Sequence, residues 1–563
     1  MKMNKAKITH LQSKGPVFPE PYKTKGLTLN GEKLPALAEE MLWKAAKFIG
    51  SDDYEKEAFF SSNKNMWTCL KPELTEKQSK LKFPEDFLPL LRSIKAQIEA
   101  EKEAKKKRSK EEKEAEKAAK EKLREEFGYI ELNGKTVKLQ NFMIEAPDWI
   151  LTRGKDPRKF NWKYAVKKED VVLNIVNGED VPGYTCESNP DVFWIMRYHI
   201  NCGRPEQSNF QKLNKRIFAG EGADMMYDSI RNKFDKAADI LKNWKHIQKT
   251  IKDDALEGKD EALITYLIQQ TGIRVGNERD AKKQALTYGM STLEGQHLKF
   301  TAPNKVAFNF LGKDSVPENR EIEIDKDIWN ILNKKELIKN KKFFKDVDVN
   351  KYIKSIHPGA TAKNLRTVVC NETLINNLKS QNITKDMTEA QKLRAIFLAN
   401  LEIAKTLNHQ KNVGKNQKEQ ETKMKERVKK NEERIKELKL RHKERLEKLK
   451  AQKEKAKLLY KDMPKMKKEK LDKIKEQEMK LLAQMDRALK AAEKSKLNLE
   501  KKKMTKDVSL GTSLSSYADL RILKSFCEEI ELPLELIFSK GRMPAINEIT
   551  KNTPKNYWRD YPQ

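Results

Sequence analysis

The sequence predicts an α+β protein of several domains, and three patterns carry that prediction. Strand-like runs gather between Phe127 and about Ile200, helical periodicity dominates from about Asn209 to Asn412, and a long charged heptad pattern fills Lys411 to Val508. With 563 residues the chain has room for three or four domains. Its hydrophobic share of 37% is below the globular average and its charged share of 36% above it, so highly charged segments must alternate with folded ones. The formal charge of +32 points to a polyanionic partner. No apolar run approaches the ~20 residues needed to span a bilayer. The start, Met1-Lys-Met-Asn-Lys-Ala-Lys7, has no apolar signal core, so neither membrane attachment nor secretion is expected. The five cysteines (Cys69, Cys186, Cys202, Cys370, Cys527) and the seven histidines are scattered, with neither metal spacing nor a disulfide framework. A reducing compartment, no metal and no cofactor are the expectation.

In chain order, residues 8–25 form a Pro-rich extended entry. From Asp86 to Glu126 the pattern predicts one long helix, almost wholly charged between Glu99 and Glu125 and therefore solvated. Tyr129–Leu132, Thr136–Leu139 and Val171–Val176 are predicted strands, punctuated by Asn133-Gly and Pro182-Gly turns, and they make a mixed α/β lobe. Period-two alternation at Val306–Phe310 and Glu321–Asp325 predicts a hairpin with Leu311–Ser315 at its tip. Thr388-Glu-Ala-Gln391 is a capping box that opens a helix with Leu393, Ile396, Phe397, Ile403, Ala404 and Leu407 on one face and His409 at its C-terminal end. Lys411 to Val508 holds 35 Lys and Arg against 18 Asp and Glu, a net +17. There Val428, Ile435 and Leu438 precede the break at Lys461-Asp-Met-Pro464, and Leu471, Ile474, Leu481, Met485 and Leu489 follow it. Two arms of about 40 and 36 residues, each roughly 55–60 Å long, predict an antiparallel coiled-coil hairpin. The expected domains are 1–204, with the 86–126 helix; 205–412; 413–508; and 509–563.

The chemistry turns on Ser509–Arg521, where a Gly/Thr/Ser loop delivers Tyr517 ahead of a helix with Leu520, Leu523, Phe526 and Ile530 on one face. Four cationic or titratable residues sit in suggestive settings. Arg274 lies between Gly272 and Gly276, where backbone can approach a ligand closely. Lys313 is at the hairpin tip, Arg366 is on a helix with apolar residues after it, and His409 is at a helix C-terminus that favours its protonated form. Singly, each has a plain structural explanation: a surface arginine, a turn lysine, a buried ion-pair arginine, a capping histidine. Spacing alone does not bring them together. Were they to meet, two arginines and a histidine would stabilise charge on a phosphodiester attacked by the phenol, with the lysine as general acid to the departing alkoxide. Neither metal nor nucleotide is needed, and no G-x-x-x-x-G-K-[ST] loop is present.

Nine collinear segments carry a resemblance to one family. They are Lys14-Gly-Pro-Val-Phe18 with Pro21-Tyr22, Ser109–Lys113, Asn141-Phe142 with Ile144-Glu145 and Pro147, Arg153-Gly154, Arg274–Glu278, Phe308 with Phe310–Ser315, Thr361–Lys363 with Arg366-Thr367, Asn408–Gln410, and Leu510–Ser513 with Tyr517, Asp519 and Arg521. In this the chain resembles the eukaryotic-type DNA topoisomerase IB family. The resemblance implies a bilobed clamp on double-stranded DNA, with a mixed α/β cap lobe, a mainly helical catalytic lobe, a coiled-coil linker and a small helical C-terminal domain. It implies that Tyr517 forms a 3′-phosphotyrosine assisted by Arg274, Lys313, Arg366 and His409. Strand rotation would then relax supercoils of both signs. Arg153, Asn277, Asp314, Thr512 and Ser516 would lie at the DNA near the cleaved step. A monomer is expected, acting in the nucleus if the source is cellular, with a viral source as the alternative.

Departures from the family pattern are specific. The Lys-Gly-Pro-Val-Phe match begins at residue 14, so the family's long charged N-terminal extension is expected to be missing, which weakens the nuclear expectation. After Arg153-Gly154 little but Pro157 is kept, so contacts from Lys155 onward do not transfer. Ser513-Leu-Ser-Ser516 stands where the family has Ser-Lys-Leu-Asn, and Leu520 replaces the usual proline. Ser516 replaces an asparagine of the camptothecin site, which implies weakened binding of that inhibitor. Two other readings compete. A tyrosine site-specific recombinase uses a similar residue set but usually a His-x-x-Arg box, where this chain has Lys363-Asn-Leu-Arg366. A non-catalytic architectural DNA binder would need only the charge and the coiled-coil arm.

Overall fold

A computed structural model describes residues 8–49, 64–152, 154–220, 222–411 and 417–562. Residues 1–7, in which no signal core is expected, Arg153, and the first residues of the expected linker, 413–416, lie outside the described residues. The chain is mixed α/β and divides into two compact units. One comprises Met1–Asn232, Gly276–Glu321 and Lys335–Phe344; the other comprises Lys233–Val275, Ile322–Lys334 and Lys345–Gln563. Among the described residues no helix is long and apolar enough to cross a membrane.

Among the described residues the four sheets lie wholly or mainly in the first unit, the smallest being the two-stranded Thr28–Leu29 with Glu32–Lys33. Leu11–Gln12, in the predicted extended entry, pairs with Tyr129–Leu132, which turns through Asn133-Gly134 onto Lys135–Lys138. Both turn residues have positive φ, 51° and 75°, as a two-residue hairpin turn requires. The largest sheet is built on Trp194–Cys202, flanked by Val171–Asn174 and by Gln211–Phe218. In the first of these strands Met196, Tyr198, Ile200 and Cys202 face the core while Arg197 and Asn201 face solvent.

This pair corrects the expectation of helices from about Asn209: Gln211–Phe218 is a strand. Its polar alternation resembles a solvated segment, yet it is paired along its whole length. The expected boundary at 204/205 lies in the turn joining the two strands. The 86–126 helix is also corrected. It is two helices, Leu88–Lys106 and Lys110–Phe127, because Ser109 accepts a hydrogen bond from the Glu112 backbone N–H at 3.1 Å while the Glu112 carboxylate accepts from the Ser109 N–H at 2.8 Å. The third sheet contains the predicted hairpin, Lys305–Gly312 and Val316–Glu323, with Lys313–Ser315 at the tip.

The second unit is helical. Asp260–Thr271 ends in a left-handed Gly272, φ 64°, where a Cβ would press on the Leu407 side chain at 3.1 Å. Ala362–Ser380 and Glu389–Thr406 pack together, the second opening with the predicted Thr388/Gln391 capping box. Two helices of 43 and 41 residues follow, Gln417–Leu459 and Pro464–Met504, breaking where Pro464 predicts. Their seam follows the predicted apolar positions, with Val428, Ile435, Leu438, Leu471, Leu481 and Met485 half-buried and Ile474 buried, whereas Leu489, expected on the same stripe, is exposed; polar pairs are set among them. Asn431 donates to Ser495 Oγ at 3.1 Å and Lys496 pairs with Glu432 at 2.8 Å, while Leu449, Ala456 and Ile474 supply a small apolar cluster near the apex. At the base, Lys411 N–H donates to Asp507 O and Ser509 N–H to His409 O, each at 2.7 Å. The closing segment contains Gly511–Ser516, Leu520–Glu529 and Met543–Ile549, and the predicted stripe Leu520, Leu523, Phe526 and Ile530 is buried.

Candidate active site

Arg366 lies in the second turn of Ala362–Ser380, a helix that Thr361 caps through the Asn364 N–H. Only 4% exposed, its guanidinium reaches three separate segments. Nε donates to Gly272 O at 2.5 Å, Nη1 to the Tyr517 hydroxyl at 2.7 Å, and Nη2 to Leu407 O at 3.5 Å. Among the described residues no carboxylate pairs with it. Burial holds this guanidinium below its ordinary range, and repulsion from nearby Arg274 adds to the effect. It remains a cation. The left-handed Gly272 turn gives Arg366 its carbonyl and leads two residues later to the half-buried Arg274.

Tyr517 is the C-cap of Gly511–Ser516, so the expected loop is a short helix. Apart from Leu514 its residues are small, and tertiary contacts order them. Buried Ser513 donates through Oγ to Asn400 Oδ1 at 2.7 Å, and Asn400 Nδ2 donates to Leu510 O at 3.4 Å. The Tyr517 N–H donates to Ser513 O at 3.0 Å. On the other side Asp519, fully buried, caps Leu520–Glu529 and takes a bidentate bond from Arg521 and a third from the Tyr557 hydroxyl. The tyrosine is thus held between two anchored turns, its own side chain buried against the Arg366 guanidinium.

His409 completes the cluster, its ring 5.5 Å from that of Tyr517 and tilted by 42°. Among the described residues neither ring nitrogen has a hydrogen-bond partner. Burial, followed by repulsion from Arg366 and Arg274, brings its pKa down to about 4. The expected protonated form is therefore corrected: in the free protein the imidazole is neutral. A helix C-terminus offers a cation roughly 0.3–1 kcal/mol, too little against desolvation beside two guanidinium groups.

Of the residues singled out from sequence, the second unit brings Arg274, Arg366, His409 and Tyr517 together. Thr512 and Ser516 are exposed on the helix that ends at Tyr517. Lys313, Asp314 and Asn277 belong to the first unit, where all three are exposed, Lys313 and Asp314 at the hairpin tip with Asp314 at φ 63°. Arg153 is outside the described residues; its neighbour Gly154 packs so tightly on Ser315 of that tip that a Cβ would sit 2.5 Å from Ser315 Oγ. Sequence reasoning missed Asn400 and Lys233. Asn400 had a readable signal, a lone amide amid the apolar stripe of Ile396, Phe397, Ile403 and Ala404, which implies a buried partner.

Comparisons with known proteins agree along the chain. The model of the eukaryotic DNA topoisomerase I DNA binding fragment matches residues 6–202, that of the catalytic core residues 223–443, and that of the C-terminal topoisomerase domain residues 490–545. DNA topoisomerase 1 alpha of Arabidopsis thaliana is 29% identical over 95% of this chain and 58% of its own length. DNA topoisomerase 1 of Homo sapiens is 26% identical over 94% of this chain and 69% of its own, and that of Schizosaccharomyces pombe 30% identical over 51% and 36%. The chain spans 58% and 57% of the two Arabidopsis relatives it matches.

Proposed function

This chain belongs to the eukaryotic DNA topoisomerase I family, and from that premise we propose that it relaxes supercoiled duplex DNA by reversible single-strand cleavage, without ATP or metal. The observation that carries the proposal is the bond from Arg366 Nη1 to the Tyr517 hydroxyl, 2.7 Å long in a site with Arg274 and His409 beside it. A guanidinium aimed at a phenol oxygen stabilises the charge that develops there as the proton leaves for water. The Tyr517 oxygen then bonds to phosphorus, the bond from phosphorus to the 5′ oxygen breaks, and the strand is left as a 3′-phosphotyrosine. Arg366 and Arg274 hold the non-bridging oxygens. Neutral His409 keeps one N–H to donate to them. Lys313 is the proposed general acid that protonates the departing 5′ oxygen, a role supported by the family resemblance. Religation is the same path reversed, so the phosphodiester energy is conserved and no nucleotide is consumed.

On the same proposal the chain acts as a monomer in the nucleus and closes on DNA as a two-lobed clamp with the helical hairpin as linker. Arg153, Asn277, Asp314, Thr512 and Ser516 contact the DNA near the cleaved step. Support for these features is the resemblance. The test is relaxation of a negatively and a positively supercoiled plasmid in EDTA without ATP, beside Tyr517→Phe. Relaxation by the wild type and none by the variant is expected. A variant as active as wild type would remove Tyr517 as the nucleophile, and recombinant products from paired sites would favour the recombinase reading.

A further inference from the structure

Lys233 was not singled out by its sequence setting, yet it touches the peptide that carries the proposed nucleophile. It lies on the helix Asp224–Lys242, and its Nζ donates to the Ser516 carbonyl oxygen at 2.5 Å. The N–H of that same peptide belongs to Tyr517 and donates to Ser513 O at 3.0 Å. The peptide plane joining Ser516 to Tyr517 is therefore gripped at both ends, while the phenol is gripped by Arg366. A helix as short as Gly511–Ser516 leaves its last carbonyls without intrahelical donors and has little stability of its own. An outside donor at Ser516 fixes where the tyrosine leaves the helix. Two residues further along the same helix, Asp235 takes a bond from Arg521 at 2.7 Å, so the tyrosine turn is braced on both sides.

The setting of Lys233 is costly for a cation. It lies half-buried, 4.0 Å over the Phe234 ring, facing Lys363 and Cys370 of Ala362–Ser380 and Asp519 of the tyrosine segment. Asp519 is committed to Arg521 and Tyr557. Among the described residues the only hydrogen bond of Lys233 is to the Ser516 carbonyl. An apolar side chain would fill this place without the desolvation. What a lysine adds is a charge-assisted donor at that one carbonyl.

We infer that Lys233 is a positioning residue of the transesterification, which sets the Ser516–Tyr517 peptide so that the phenol meets the arginine pair. This rests on the reading of Tyr517 as nucleophile. Burial first, then Lys363, brings the Lys233 ammonium down to about 8, so the brace weakens as pH rises through that value.

The test is single-turnover cleavage of a duplex whose short 5′ product diffuses away, by wild type, Lys233→Met and Lys233→Arg. The methionine variant should cleave roughly ten- to a hundred-fold more slowly, the scale of a small misplacement of a reacting group. DNA affinity, measured in a Tyr517→Phe background, should change less than about two-fold, since no phosphate contact is removed. The arginine variant should recover most of the rate and lack the fall that wild type shows between about pH 7.5 and 9.5. A methionine variant that cleaves at the wild-type rate overturns the inference. So does a wild-type pH profile that Lys233→Arg leaves unchanged, a result that stands even if the methionine variant fails to fold. Wild type that forms no covalent complex overturns the nucleophile reading itself, and with it this inference.

Discussion

Acidifying the free protein from pH 7 to pH 4 should remove a definite amount of stability through His409. The unfolded imidazole titrates near 6.5, and in the fold burial and the two arginines bring it down to about 4. That gap corresponds to roughly 3 kcal/mol, or ~2 kcal/mol once residual solvent screening is discounted. The unfolded chain takes up the proton first. Stability is therefore complete above about pH 6.5 and falls as pH drops through about 4. His409→Leu provides the control, because among the described residues neither ring nitrogen has a hydrogen-bond partner to lose. Thermal unfolding of the wild type should decline more steeply than that of the variant between pH 6.5 and 4. NMR should show one imidazole resonance, missing in His409→Leu, that titrates near pH 4. Adding duplex DNA to a Tyr517→Phe background should raise that midpoint, because a phosphate offsets the cation excess. A free-protein midpoint at 6 or above, or parallel pH profiles for the two proteins, would refute the reasoning.

Arg366→Lys keeps the charge but not the fork that reaches Gly272 O, Leu407 O and the phenol. Single-turnover cleavage should fall by about 10²–10³, the loss seen when one preorganised donor is removed; a rate within three-fold of wild type would take Arg366 out of the chemistry. Asn400→Ala removes one acceptor of the buried Ser513 hydroxyl and one donor to Leu510 O, leaving the 2.9 Å bond from Ser513 Oγ to Leu510 O, and should lower stability by ~0.5–1.5 kcal/mol in thermal unfolding. A change below about 0.5 kcal/mol would mean that other contacts hold the tyrosine segment. Ser516 is exposed beside Tyr517. Ser516→Asn should increase the covalent complexes trapped by camptothecin, and no increase would rule out this position as the source of weakened binding.

Much of the local structure was legible because it is written in short-range chemistry. Thr388 and Gln391 cap a helix through their own backbone neighbours, Asn133-Gly134 turns a hairpin, and Pro464 opens the second arm at the position its missing N–H allows. The stripe through Leu520, Leu523, Phe526 and Ile530 follows from helical period alone. Failures came where a local pattern had two solutions. Ser109 could continue a charged helix or cap a new one, and the capping box won. Gln211–Phe218 alternates too weakly to show strand character without Trp194–Cys202 beside it. The Gly511–Ser516 segment is ordered by Asn400 and Lys233, both more than a hundred residues away.

By itself, then, the sequence determined most of the elements, the charge, the tyrosine and a resemblance carried by nine collinear segments. What it left to the tertiary structure was convergence. Gly272, Leu407 and Tyr517 meet one guanidinium from 94, 41 and 151 residues away along the chain. No period or cap encodes such a meeting; it follows from helices packing on a common core. The protonation of His409 was decided there too, since a pKa is set by what surrounds the ring in space, and the ring is buried beside two guanidinium groups that the chain places far from it in sequence.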